Sequence, residues 1–193
     1  MEKKLLITGF DAFGGSEDNP SWLAVSQLPD TVAGFALKKC MLPTVFGKAA
    51  QEVLAAAESF HPDVILCVGV AAGRDAVTPE RIAVNIRDAR IPDNAGNQPI
   101  GEYVLPNGHA AYFATVPVAA MAQAIRNAGI PGAVSNSAGA FVCNDTLYLL
   151  LHHFAGSATR VGFIHVPALP QQHAVSLPLE KTVSALIHAV SAC

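Results

Sequence analysis

Between Asp63 and Val70 the chain reads Asp-Val-Ile-Leu-Cys-Val-Gly-Val, a continuous apolar run of strand length. A strand of that composition is buried on both faces, so helices have to cover both sides of its sheet. Lys3 to Thr8, Phe35 to Leu42, Arg160 to Val166 and the shorter Ala133 to Asn136 are further strand candidates. In Arg81 to Arg87, Ile82, Val84 and Ile86 alternate with Arg81, Asn85 and Arg87, which predicts a strand with one wetter face. Segments of helical period separate these runs. They predict helices at about 45–60, at about 116–128 with Thr115 as N-cap and Gly129 closing it, at about 140–155, and at about 177–191 after Ser176. Such alternation specifies βα units, hence an α/β fold: a single-domain open, mostly parallel twisted sheet with helices on both faces. The length of 193 residues suits one domain spanning 1–193. The Pro- and Gly-rich stretch from Ile91 to Gly108 is too long for an ordinary connection and is expected to edge a site.

Composition narrows the function. Charged residues are only 14% against a usual share of about a quarter, and hydrophobic residues reach 51%, which excludes a disordered chain. The net charge is −3 and the basic residues are scattered, so neither nucleic acid nor a membrane surface is expected as partner. Arg74 and Pro117 interrupt the longest apolar stretches, so no spanning helix is expected either. Met1-Glu2-Lys3-Lys4 enters the first strand directly, which predicts a cytoplasmic protein, and the low charged fraction predicts surface hidden in a homo-oligomer. The four cysteines, Cys40, Cys67, Cys143 and Cys193, lie far apart with no CxxC pair, so neither a zinc site nor a disulfide framework is suggested.

Cys143 lies just after the turn Ser137-Ala138-Gly139, in or near the first turn of a helix. Backbone N–H groups and the partial positive charge there stabilise a thiolate and would lower its pKa, and the same groups could hold an oxyanion. An alternative stays open, because Cys143, Leu147, Leu150 and Phe154 are also spaced as one apolar helical stripe. His165 ends the strand Arg160 to Val166, at the carboxyl edge where parallel α/β sheets bind ligands, so it can serve as base to a cysteine nucleophile. Glu80 opens the strand after the loop that leaves Val70, and a carboxylate there can orient an imidazole or simply pair with Arg81 or Arg74. His152 and His153 read as helix-end residues. The glycines of Thr8-Gly9-Phe10-Asp11-Ala12-Phe13-Gly14-Gly15 match neither GxGxxG nor GxxxxGK[ST], whereas Phe10 and Phe13 could wall a small apolar pocket.

Four segments carry a family resemblance: Thr8 to Gly15 with Asn19-Pro20-Ser21; Gly69 to Asn85 through Thr78-Pro79-Glu80-Arg81; Ala89-Arg90-Ile91-Pro92-Asp93-Asn94 to Gln98-Pro99; and Ser137 through Cys143-Asn144, followed by Phe163-Ile164-His165-Val166-Pro167. In this order they resemble the pyrrolidone carboxyl peptidase (pyroglutamyl peptidase I) family of cysteine peptidases. The resemblance implies removal of N-terminal pyroglutamyl residues from peptides, an acyl-enzyme, no cofactor and a homotetramer. It assigns the catalytic roles to Glu80, Cys143 and His165, the residues reached from position. Phe10, Phe13, Asn19, Val70, Arg90 and Phe141 become the substrate-binding candidates. Three positions depart from the family pattern: Ala12 stands for a Pro, Ala168 for an aromatic, and Val70 for a Gln that would read the lactam. Two other readings remain open at this point: a thiol amidase acting on another small cyclic or acyl amide, and a catalytically silent binding protein of the same fold.

Overall fold

The computed structural model describes residues 2–193. Strands β1 (Lys3–Phe10), β3 (Phe35–Leu42), β4 (Val64–Val70) and β8 (Arg160–Val166) form the centre of a six-stranded sheet. β2 (Thr31–Val32) and β5 (Thr78–Pro79) flank them in the order β2-β3-β1-β4-β8-β5. The pairs β1–β3, β1–β4 and β4–β8 are parallel, and only the two short edge strands run antiparallel.

The apolar run of β4 is sorted by the period of two. Val64, Leu66 and Val68 face one layer, with Ala24 and Val25 of α1 (Pro20–Ser26), Met121 and Ile125 of α3 (Val118–Asn127), and Ala185, Leu186 and Ala189 of α5 (Leu179–Ser191). Ile65 and Cys67 face the other, with Ala49 and Val53 of α2 (Lys48–Phe60) and Leu147 and Leu150 of α4 (Val142–His153). The α/β class, the mostly parallel sheet and the helices on both faces are therefore as the sequence predicts.

Several element limits differ. Thr115 does not cap a helix: its N–H donates to Val161 O at 3.0 Å and its hydroxyl accepts from Val161 N at 2.7 Å, so it extends the edge of β8 while α3 begins after Pro117. Gly129 does close α3, with φ 74° and its N–H on Arg126 O at 2.9 Å. Of Arg81 to Arg87 only β6 (Ile82–Val84) is a strand, paired antiparallel with β7 (Ala111–Phe113), which lies outside the runs predicted as strands. Ala133 to Asn136 makes only an isolated bridge, Glu80 to Ser135. The sequence reading also passes over α1, although Pro20 at its first turn and Asn19 as N-cap, accepting from Ser21 N, mark its start.

Candidate active site

β4 and β8 end side by side at the carboxyl edge of the sheet, with Gly69 opposite His165 in register. By the alternation that turns Cys67 and Phe163 toward α4, Gly69 and His165 face that helix too. Cys143 lies in the first turn of α4, at the half-buried end of the stripe whose Leu147 and Leu150 are core. A Cβ built on Gly69 would stand 2.9 Å from Cys143 Sγ and 2.9 Å from Phe163 Cζ. The thiol thus occupies the space that the missing side chain leaves, beside the imidazole. Gly69→Ala is expected to push the sulfur aside and lower kcat/KM by about 10² or more, since misplacing a reacting atom by about 1 Å costs on that order. A loss below about threefold, with an unchanged melting temperature, would show that the sulfur has room to spare.

Glu80 is fully buried, and its N–H donates to Phe163 O on β8 at 2.9 Å. Its Oε1 accepts from His165 Nδ1 at 2.7 Å and from Arg74 Nη1 at 2.7 Å. The carboxylate meets Arg74 and not Arg81, and it does so in the interior rather than at the surface. Burial alone would raise the Glu80 carboxyl, but the hydrogen bond and charge of His165, with Arg74, hold it below its ordinary value. An ionised Glu80 can only accept, so the bonded Nδ1 carries the proton and Nε2 is the nitrogen free to act as base.

The thiol departs from the sequence expectation. Burial first, then the negative charge of Glu80, pushes Cys143 up to about 12, outweighing Arg74 and the backbone N–H at the helix start. Cys67 is likewise pushed up to about 12, by burial.

Two hollows flank this edge and share the Phe13 ring as a partition. One, of about 270 Å³, is lined by Phe13, Asn19, Val70, Ala168 and His173 among others. The other, of about 250 Å³, is lined by Phe13, Asp88, Arg90, Ile91, Ala140 and Phe141. Phe13 and Phe141 pack with rings tilted by 42° and centroids 5.2 Å apart, and Phe46 meets Phe141 edge-on at 5.2 Å. Arg90 is exposed at the second hollow. Phe10 does not line either hollow: it is buried, 6.2 Å from Phe163, and supports the ring that in turn packs 4.8 Å from His165. Asn19 borders the first hollow, and its amide also holds the loop, its Oδ1 capping α1 and its Nδ2 donating to Asp11 O at 2.9 Å.

Sequence reasoning missed Gly69 and Phe46 and gave Arg74 no more than an ion pair. It also missed the clasp behind the wall, where Asp93 Oδ2 accepts from Phe46 N at 3.0 Å and Asp11 Oδ1 accepts from Thr44 N at 2.8 Å and from Asn94 Nδ2 at 3.1 Å. These contacts join residues tens of positions apart, and no local pattern announces them. His152 and His153 fall in the last turn of α4, where His152 Nδ1 meets Tyr112 OH at 2.8 Å.

The family model for pyroglutamyl peptidase matches residues 3–193. The chain belongs to the pyroglutamyl peptidase family. It is a hydrolase of that family, 53% identical over 171 residues to the pyrrolidone-carboxylate peptidase of Levilactobacillus brevis, covering 88% of this chain and 84% of that protein. It is 48% identical over 194 residues to that of Chromobacterium violaceum, covering 97% of this chain and 91% of that one. The crystal structure of pyroglutamyl peptidase I from Bacillus amyloliquefaciens superposes with a TM-score of 0.95 at 44% identity, over 100% of this chain and 95% of that one. Pyrrolidone carboxyl peptidase from Thermococcus litoralis gives 0.93 at 36% identity, over 98% and 92%.

Proposed function

We propose that this chain, as one peptidase domain over 1–193, removes N-terminal pyroglutamyl residues from peptides through Cys143, His165 and Glu80. The observation that carries the reading is the buried 2.7 Å bond from His165 Nδ1 to Glu80, at a strand end beside the Cys143 thiol. Sγ attacks the carbonyl carbon after the lactam ring as its proton passes to His165 Nε2. The imidazolium that forms is stabilised by Glu80. Phe141, the N-cap of α4, brings no side-chain cap, and the first main-chain bond of the turn is Asp145 N to Phe141 O at 3.1 Å. The earlier N–H groups are therefore available to the oxyanion. Collapse breaks the C–N bond, His165 returns the proton to the departing amine, and a thioester on Cys143 remains. Water, deprotonated by His165, then releases the pyroglutamate. Among the described residues no hydrogen bond joins Cys143 Sγ to His165, as is common in sites without substrate.

Val70 lines the larger hollow, which supports a lactam seat that is mainly apolar on that side. Val70 also favours the second reading, an amidase on another small cyclic amide. Pyroglutamyl and prolyl rings have nearly the same shape, and an apolar slot separates such near-isosteres by only about 10², whereas buried polar groups reach about 10⁴ to 10⁵. The test is kcat/KM for pyroglutamyl-amide and prolyl-amide substrates, with and without a thiol alkylating reagent, in wild type and Val70→Gln. Pyroglutamyl cleavage lost on alkylation is expected, with a higher pyroglutamyl-to-prolyl ratio in Val70→Gln. An unchanged ratio would remove Val70 from lactam contact. Cleavage of neither substrate would overturn the pyroglutamyl assignment.

The exposed side chains Ile100, Tyr103 and Phe113 are what an assembly such as the proposed homotetramer would cover. No helix among the described residues is long and apolar enough to cross a membrane.

A further inference from the structure

Arg74 stands outside the three catalytic assignments, on the loop between β4 and β5, with its side chain 31% accessible. Nη1 donates to Glu80 Oε1 at 2.7 Å and to Thr78 Oγ1 at 2.6 Å, and Nη2 donates to Ser137 O at 3.0 Å. Thr78 is the residue of β5 paired opposite His165, and Ser137 begins the turn that leads to Cys143. One side chain thus joins the carboxylate, the strand beside the imidazole and the approach to the thiol. The bonding of Glu80 is one-sided, since Oε1 serves both His165 and Arg74 while Oε2 is buried without a partner among the described residues.

We propose that Arg74 is a positioning residue of this site, sharing Glu80 Oε1 with His165 and tying that carboxylate to the turn that delivers Cys143. The proposal rests on the catalytic reading of Cys143, His165 and Glu80. A guanidinium fork is suited to it, because its donors leave one plane at fixed angles and can hold two acceptors at once. Its charge has a second effect. The titratable and charged groups at this edge are Glu80, bonded to His165, Arg74, bonded to Glu80, and Cys143, on which Glu80, Cys67 and Arg74 act. Arg74 is the fixed cation of that set, and it opposes a second positive charge on His165 in the resting enzyme. The same cation draws the Cys143 thiol down against burial and Glu80.

The test is an NMR titration of the labelled His165 imidazole, together with the pH profile of kcat/KM on a pyroglutamyl amide, in wild type, Arg74→Met and Arg74→Lys. In Arg74→Met, Glu80 faces His165 alone, so the imidazolium is favoured. His165 and the acid limb of the profile are expected to rise together by about one pH unit, with kcat falling about tenfold and KM little changed. Arg74→Lys restores the charge but not the fork, so its limb should return to the wild-type position while part of the kcat loss remains. If Arg74→Met does not fold, Arg74→Gln, which is neutral but still a donor, carries the same titration. An unmoved His165 in a folded neutral variant would overturn the proposal. A moved imidazole with an unmoved rate profile would instead overturn the catalytic reading of His165, so the two failures are distinguishable.

Discussion

Cys143→Ala is expected to bring cleavage of a pyroglutamyl amide down to background, a loss of about 10⁶ in kcat on the scale set by removing one member of a serine-protease triad. The fold should survive, because Cys143 is half-buried at the start of α4 and the stripe behind it, Leu147 and Leu150, is untouched. His165→Asn should be nearly as damaging, and the double variant no worse than either single one, since nucleophile and base act as a unit. The checks are kcat/KM and melting temperature for all three proteins. Turnover at wild-type rates in Cys143→Ala would end the cysteine mechanism, and additive losses in the double variant would separate His165 from Cys143.

Glu80→Gln carries the second-largest effect, and Arg74 decides its size. A glutamine could turn its NH₂ toward His165, forcing Nδ1 to accept and placing the proton on Nε2, where it blocks the base. In serine triads that tautomer error costs about 10⁴. Here the atom at Oε1 also faces Arg74 Nη1, 2.7 Å away, and a donor cannot face that donor. The amide oxygen is therefore held at Oε1, the tautomer survives, and only the negative charge is lost. The expected loss is about 10² to 10³ in kcat/KM, between general-base effects and the tautomer error. Activity within about twofold of wild type would leave Glu80 as an ion-pair partner only. Stability gives an independent readout. Glu80 is held below its ordinary value of 4.5, so the unfolded chain takes up that proton first. Its contribution is present above about pH 4.5 and is lost as pH falls through the lower folded-state value. Urea midpoints measured from pH 7 to pH 3 should fall less steeply in Glu80→Gln than in wild type.

Residues that act through local periodicity were legible. The run Val64 to Val68 is apolar at every position, so it belongs to a strand covered on both faces, and the helical periods of α2, α3, α4 and α5 supply most of that cover, while α1 is passed over. Cys143 was placed at a helix start by the turn before it, and His165 at a strand end by the run before it. Short elements were not legible. β2 and β5 contain two residues each and β7 three, and they exist because a neighbouring strand offers an edge, a condition that no window of sequence contains. Thr115 shows the same limit, since its hydroxyl can cap a helix or pair with a strand, and the nearness of Val161 settled which.

The chemistry divides along the same line. Residue types and spacing determined that a thiol, an imidazole and a carboxylate are carried on three separate elements, the imidazole at the carboxyl end of a strand, because helix and strand periods are local properties of the chain. Tertiary structure alone decided that Gly69 leaves room for the sulfur and that one oxygen of Glu80 serves both His165 and Arg74. It also decided the balance of influences on the Cys143 thiol. A helix start lowers a thiol pKa wherever it lies, but the balance turns on how deeply the sulfur is buried and which charge stands beside it. Burial and through-space charge are sums over residues distant in sequence, so they come into being only when the chain closes on itself.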